Sequence, residues 1–259
     1  MTRPAALSVL IVVTMLGVPV GAGIGVASAA ISTPSGGPIT FGATTTNWGG
    51  YVVVGTSGSV SAVTGSWVQP AVTCTKKATY VGLWDGIDGF NTKTVEQGGT
   101  LAYCAKGHAH YSAWYEFFPA PSVTIPSLTV TPGSLVSVTV TYNATASTFA
   151  IAVQVGNATV THIGTESGAT RSSAECIDER PSVNRQLSSL ADFGTVYFGA
   201  DSTSTIGCGA TIGGTTGSFG SFATVLSINM VDKKHHTLSS TSTLSSDGSS
   251  FAGTWVAAS

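Results

Sequence analysis

Alternation of apolar and polar residues, with a period of two, is the feature of this chain that most constrains its fold. Val136, Val138 and Val140 alternate with Ser and Thr, and the same period returns between Phe149 and Val155. Successive side chains of a β-strand point to opposite faces of a sheet, so this period predicts strands with one buried face. Helical periodicity is nearly missing, since its best candidate, residues 185–191, spans only about two turns.

Further β-rich runs are separated by clusters of Gly, Ser and Thr. They predict strands at Tyr51–Val54, Thr79–Ile87, Ala109–Phe118, Thr159–Ile163, Val196–Phe198, Phe222–Met230 and Ser250–Val256. Many short antiparallel strands with such punctuation favour a two-layer sandwich or a barrel. The sequence therefore predicts an all-β domain.

The first residues have the pattern of an export signal. Arg3 precedes an apolar stretch that Gly and Pro interrupt, and a small-x-small cleavage pattern follows at residues 27–29. The interruptions come before the roughly 20 apolar residues that a membrane-spanning helix needs. We therefore expect a signal peptide at 1–29, a flexible leader or short propeptide at 30–46, and one secreted domain at 47–259, with no membrane association after signal removal.

Charge and cysteine content narrow the possible partners. The net charge is −2 and only 8% of residues are charged, so nucleic acid is not an expected partner. Four cysteines in an exported chain predict two disulfides. Three pairings are possible, and chain order favours Cys74 with Cys104 and Cys176 with Cys208. Zinc-type Cys and His spacing is absent, and we expect a monomer without metal or organic cofactor.

The twelve carboxylates are unevenly placed. Four lie between Asp85 and Glu116, and three lie within residues 175–179. An aromatic and acidic string at 114–118 ends the first group, and aromatic walls with a few convergent polar groups are typical of a binding cleft. Solvated charge at strand ends is the alternative, and it is the expectation for Glu96, which strand parity turns away from Gln97.

Common hydrolase motifs are missing from the chain, including Gly-x-Ser-x-Gly, His-Glu-x-x-His and Asp-Thr/Ser-Gly. Six segments instead resemble, in order and spacing, the glutamic peptidases or eqolisins, including bacterial-type members. These segments are Asn47-Trp48-Gly49-Gly50, Trp84-Asp85-Gly86-Ile87-Asp88-Gly89, Val95-Glu96-Gln97-Gly98, Ala113-Trp114-Tyr115-Glu116-Phe117-Phe118-Pro119, Ala174-Glu175-Cys176-Ile177 and Leu190-Ala191-Asp192-Phe193-Gly194-Thr195-Val196. The resemblance extends from Asn47 to the C-terminus.

This resemblance implies an antiparallel β-sandwich of two curved sheets, similar to concanavalin A-like or jelly-roll folds, whose concave face binds protein or peptide substrates. Glu175 and Gln97 match the catalytic pair. A carboxylate at Glu175 can accept a proton from water and return it to the leaving amine, while the Gln97 amide can stabilise the oxyanion. Substrate-binding positions would be Trp48, Gly50, Trp84, Asp88, Trp114, Glu116 and Phe118.

Three positions depart from the fungal pattern of the family. Ser112 replaces an Asp, Phe118 replaces a Tyr, and Cys176 replaces the Trp that usually follows the catalytic Glu. Two other functions stay open on the sequence: a carbohydrate-binding sandwich, and a glycosidase that pairs Glu175 with Glu179 or Glu116. The favoured reading is a secreted, acid-active endopeptidase.

Overall fold

The computed structural model describes residues 39–199 and 206–259. They form nineteen strands and one short 3-10 helix, Phe219–Ser221. The strands are β1 Ile39–Thr45, β2 Trp48–Val54, β3 Val60–Val68, β4 Thr79–Ile87, β5 Val95–Ala105, β6 His108–Phe118, β7 Val123–Thr124, β8 Leu135–Asn143, β9 Thr148–Val155, β10 Ala158–Gly164, β11 Ser173–Glu179, β12 Ser182–Val183, β13 Gln186–Leu187, β14 Thr195–Phe198, β15 Gly209–Ile212, β16 Thr215–Ser218, β17 Thr224–Val231, β18 Thr237–Thr241 and β19 Phe251–Trp255.

Two large sheets face each other. The front sheet has the spatial order β1-β17-β2-β11-β4-β5-β6-β7, and the back sheet has the order β10-β9-β8-β3-β15-β16. All neighbouring strands are antiparallel except β1, which runs parallel to β17. The strands β18, β19 and β14 connect β17 of the front sheet to β3 of the back sheet. The predicted all-β sandwich is confirmed.

The core fills the space between the sheets. Val136, Val138 and Val140 of β8 are fully buried there, as the alternation predicts. Trp67 and Phe149 are also buried in this cluster, and burial of one such large apolar side chain contributes about 1.5–3 kcal/mol. The inward residues of each strand therefore hold the sheets together and fix which side chains remain on the outer face of the front sheet.

Three features of the chain differ from the sequence expectations. The weak helix candidate at 185–191 is wrong, because the segment contains the short strand Gln186–Leu187. Strands β3 and β5 were not among the predicted runs. Residues 39–45 of the predicted leader form β1 and pair with β17, whereas the predicted signal at 1–29 lies outside the described residues.

Both disulfides follow chain order. Cys74 is bonded to Cys104, which fastens the segment before β4 to the end of β5. Cys176 is bonded to Cys208, which fastens β11 to the residue that precedes β15. Within the described part of the chain, no helix has the length and apolar character required to cross a membrane.

Candidate active site

Strand register aligns the predicted catalytic pair across the front sheet. Glu175 of β11 is opposite Gly86 of β4, and Gly86 is opposite Gln97 of β5. Neighbouring strands lie about 4.8 Å apart, so the two backbones are separated by about 10 Å. A Cβ on Gly86 would lie only 3.1 Å from the Cβ of Gln97. Glycine at this position therefore leaves the space between the amide and the carboxyl group open.

Glu116 on β6 extends the same row and fixes the Gln97 amide. Gln97 Nε2 donates a hydrogen bond of 2.6 Å to Glu116 Oε2, whereas Gln97 Oε1 is buried without a hydrogen-bond partner. Burial, and then the negative charge of Glu179, raise the pKa of Glu116 well above its usual value; the bond from Gln97 offsets this in part. The carboxyl group therefore stays protonated beyond the ordinary Glu range and keeps the amide in one orientation.

Glu175 is fully buried on β11, and neither of its oxygens has a hydrogen-bond partner of good geometry. Burial raises its pKa well above the ordinary value. The nearby Ser173 hydroxyl lowers the pKa, and the charges of Asp88 and Glu96 raise it further. In this buried environment the neutral, protonated form of Glu175 is therefore favoured.

Trp84 forms the floor beside this row. It is fully buried, and its ring lies along its own strand, because a Cβ on Gly86 would approach the ring to 3.0 Å. Its Nε1 donates a 2.9 Å hydrogen bond to Glu179 Oε2. The ring of Trp48 packs edge-on against Trp84 with centroids 4.9 Å apart. Burial raises the pKa of Glu179 to about 7.

The other predicted substrate-binding residues surround the same apolar surface. Trp114 belongs to the buried cluster of Trp48 and Trp84, and the half-buried Phe118 packs against it. Gly50 on β2 has a φ of 124°, and a Cβ there would overlap the Cys176 carbonyl oxygen, so the position requires glycine. Its amide donates a 2.9 Å hydrogen bond to the Thr241 hydroxyl. Register and packing thus bring these residues together with the catalytic pair.

A turn at residues 88–94 lies over the Glu175 end of the row. Gly89 has a φ of 105°, and a Cβ there would lie 2.7 Å from the Trp48 ring. Phe90 packs against the apolar cluster. Two open cavities of about 440 and 490 Å³ lie elsewhere and do not include the catalytic pair. The Phe90 backbone of this turn is a polar neighbour of the Glu175 carboxyl group.

Asp88, predicted to bind substrate, uses both carboxylate oxygens within the protein. Oδ2 accepts hydrogen bonds from the amides of Thr170 and Arg171, at 2.7 and 2.6 Å. Oδ1 accepts from the Thr170 hydroxyl at 2.7 Å and from the Ser172 amide at 2.9 Å. In this structure the side chain therefore anchors the loop that leads into β11.

Sequence reasoning missed a set of acids on the inner face of the front sheet. Asp85, Glu96 and Asp178 are fully buried, and none of their carboxyl oxygens has a hydrogen-bond partner among the described residues. Strand parity correctly turned Glu96 away from Gln97, but the expected solvation is wrong. Burial, followed by the charges of Asp88 and Glu166, raises the pKa of Glu96 to about 9.

Asp85 lies close to the sulfur atoms of Cys176 and Cys208, with all three potential ligand atoms within 4.8 Å of one another. The two sulfurs are joined in a disulfide, so they are not thiolates and do not form a metal site with Asp85. The row of Glu175, Gln97 and Glu116 offers carboxyl and amide groups without a histidine or thiolate. This donor set fits acid–base chemistry on a bound water.

Comparison with known proteins gives consistent matches. The model of the Peptidase A4 family matches residues 46–251. Aspergillopepsin-2 of Aspergillus niger is 28% identical over 200 residues, which span 64% of this chain and 66% of that protein, just under two thirds of its length.

Solved structures agree with this match. A scytalido-glutamic peptidase with a peptide-based transition-state analog has a TM-score of 0.67 at 21% identity, covering 82% of this chain and 98% of that one. Aspergilloglutamic peptidase from Aspergillus niger has a TM-score of 0.58 at 27% identity, covering 69% and 99%. The similarity to the scytalido-glutamic peptidase supports the fold, and the similarity to aspergilloglutamic peptidase supports the fold with a higher sequence identity.

Proposed function

Because this chain belongs to the peptidase A4 family, we propose that it is a secreted, acid-active endopeptidase whose catalytic pair is Glu175 and Gln97. The observation that carries the proposal is the register that aligns Glu175, Gly86 and Gln97 across three adjacent strands. A side-chain amide and a carboxyl group thereby face one glycine-lined gap. The peptide-based analog held by the scytalido-glutamic peptidase supports a peptide as the substrate.

The two side chains divide the reaction between them. Ionised Glu175 removes a proton from the water that attacks the scissile carbonyl carbon, and the resulting acid returns that proton to the leaving amine. One N–H of Gln97 Nε2 is held by Glu116, which leaves the second N–H for the developing oxyanion and Oε1 for the water. A preorganised donor of this kind contributes about 10²- to 10³-fold in rate.

The acidic pH range of the proposed activity depends on hydration of Glu175. Burial is the largest cause of its raised pKa, and the water consumed in the reaction must enter beside it. Hydration weakens that cause, so displacement of the turn at 88–94 lowers the pKa of the carboxyl group toward the ordinary Glu range. Glu175 can then be ionised at an acidic pH at which protons are also abundant.

A glycosidase fits this geometry less well. Glu175 and Glu179 are four residues apart on one strand, which is about 13 Å along the backbone, and Glu116 lies three strands from Glu175, about 14 Å away. Glycosidase carboxyl pairs are about 5–9.5 Å apart. The backbones that carry these two carboxyl pairs are therefore farther apart than those of Glu175 and Gln97, which are about 10 Å apart.

The test uses the purified protein, Glu175→Gln, Gln97→Ala and the control Asp247→Asn, whose aspartate is exposed and is hydrogen-bonded to Ser245 and Ser249. Denatured casein or haemoglobin is the substrate, at pH values of about 2–5, the carboxyl titration range. Parent and control should cleave the substrate, while both site variants should fold yet lose at least about 100-fold in turnover. Near-parental turnover of Glu175→Gln or Gln97→Ala would refute the assignment.

Secretion belongs to the same proposal. The predicted signal at 1–29 and the two disulfides support an oxidising, extracellular location. Expression in a secreting host should yield a mature chain that lacks the signal, and sequencing of its N-terminus will show whether residues 30–46 are also removed. We expect a monomer that works without metal, so EDTA should not inhibit it.

A further inference from the structure

We propose that Asp88 is a positioning residue for Glu175, acting through the loop at residues 170–172, an inference that rests on the proposed peptidase function. Asp88 follows the last residue of β4, and its φ of 69° lies in the left-handed region. Such a backbone is unfavourable for a residue other than glycine. The hydrogen bonds of the Asp88 side chain hold the residue in this conformation.

The Asp88 carboxylate is surrounded by donors from three consecutive residues. It accepts the backbone amides of Thr170, Arg171 and Ser172 at 2.6–2.9 Å and the Thr170 hydroxyl at 2.7 Å. A fifth bond, from the Ser172 hydroxyl, is 3.3 Å long. Charge-assisted hydrogen bonds are roughly twice as strong as neutral ones, so this side chain determines where the loop lies relative to β4.

The loop passes that constraint directly to the catalytic strand. The Asp88 amide donates a 3.0 Å hydrogen bond to the carbonyl of Ser173, the first residue of β11. Glu175 is two residues further on and faces the same side of the sheet as Ser173. Displacement of the loop would therefore move the start of β11 and, with it, the Glu175 carboxyl group.

The other edge of the loop is fixed to the back sheet. The Arg171 carbonyl accepts the Val60 amide at 2.9 Å, its guanidinium donates to the Val60 carbonyl at 3.2 Å, and the guanidinium lies 3.9 Å over the Tyr142 ring. The only strong cation in the loop thus points away from Asp88. Asp88 supplies the attachment to the front sheet, where Glu175 is located.

Asp88 also acts on Glu175 electrostatically. The charged groups that influence Glu175 are Asp88 and Glu96, and the Ser173 hydroxyl and Phe90 backbone are its polar neighbours. Both acids raise the pKa of Glu175, and Glu96 in turn is influenced by Asp88 and Glu166. Removal of the Asp88 charge should therefore ease ionisation of the catalytic carboxyl group.

The main test compares kcat, KM and the pH profile of Asp88→Asn with those of the parent. An asparagine has the same size, but its amide nitrogen donates where the loop requires an acceptor. We expect kcat to fall about 10- to 100-fold, the range for a catalytic group misplaced by about 1 Å, with a smaller change in KM. The acid limb of kcat/KM should move to lower pH, a shift that a general loss of stability would not produce.

Thr170→Val provides an independent variant, because it removes the hydroxyl bonds to Asp88 and to the Ser172 hydroxyl and retains the Asp88 charge and the backbone amides. It should lower kcat several-fold and leave the acid limb in place. The matched control is Asp247→Asn, which removes an aspartate that accepts hydrogen bonds from Ser245 and Ser249 in an exposed turn and should keep parental kinetics.

Parental kcat in Asp88→Asn, or a lower kcat with an unmoved acid limb, would overturn the inference. If Asp88→Asn does not fold, parental kcat in Thr170→Val overturns it instead. Glu175→Gln is assayed alongside: an inactive Glu175→Gln establishes the peptidase assignment, so a negative result with Asp88 then refutes only its positioning role.

Discussion

Asp178 gives a sharp test of how burial controls the stability of this fold. It lies on the inner face of β11 and is fully buried. Cβ atoms on Gly49 and Gly253 would lie 2.7 and 2.8 Å from its oxygens, so these glycines make room for the carboxyl group. Burial raises its pKa from 3.8 to about 6, and the nearby Ser239 hydroxyl offsets only part of this effect.

The expected energy follows from the pKa difference. A rise of about two units, at 1.36 kcal/mol per unit, corresponds to about 3 kcal/mol. The folded-state pKa lies above the unfolded value, so the folded protein binds this proton more tightly. The stabilisation is therefore fully present below about pH 4, is lost progressively up to a pH of about 6, and changes little above that.

Asp178→Asn removes the titration while keeping the volume of the side chain. Urea unfolding monitored by circular dichroism at pH values between about 4 and 7 gives the free energy of unfolding. Between these limits the parent should lose about 3 kcal/mol more than the variant. Asp247→Asn, at an exposed aspartate, should follow the parent. An Asp178→Asn protein that loses as much stability as the parent would show that Asp178 ionises without cost and that the reasoning is wrong.

Two further variants test the catalytic row and its floor. Gly86→Ala places a Cβ 3.0 Å from the Trp84 ring and 3.1 Å from the Cβ of Gln97, so kcat should fall about 10- to 100-fold; parental kcat in a casein assay would contradict this. Trp84→Phe leaves Glu179 without its 2.9 Å indole donor. The free energy of urea unfolding near pH 4 should fall by about 1–3 kcal/mol, and an unchanged value would mean that the hydrogen bond adds no net stability.

The sequence predicted those features that depend on local periodicity or on an uninterrupted motif. The alternating valines of β8 identify a strand with one buried face, and the structure buries the expected side. The motifs around Gln97 and Glu175 are each contained within one strand, so parity alone places their side chains. Pairing the cysteines in chain order also predicted both disulfides correctly, because each bond joins elements that are about 30 residues apart in the sequence.

Strand β5 shows why other features could not be predicted. Its Gly98-Gly99 pair has the composition of a turn, yet both residues lie in the middle of a strand. A Cβ on Gly98 would lie 2.8 Å from a side-chain carbon of Ile151 in the back sheet, and one on Gly99 would overlap the Leu83 carbonyl oxygen. These glycines allow close approach between sheets and between strands. That requirement is imposed by distant residues and leaves no local pattern.

The buried acids were missed for a related reason, since an isolated carboxyl group in a sequence is expected to be solvated. Asp178 and Glu175 show how the fold gives two buried acids different environments. Burial is the main cause of the raised pKa of both groups. Asp178, however, lies between the sheets, where no substrate or water has to enter. Glu175 lies on the outer face beside the turn at 88–94, which in the proposed reaction moves aside so that water reaches the carboxyl group. In the proposed mechanism Glu175 therefore ionises in acid while Asp178, with a pKa of about 6, stays neutral, so one chain would combine a neutral buried acid with a carboxylate base.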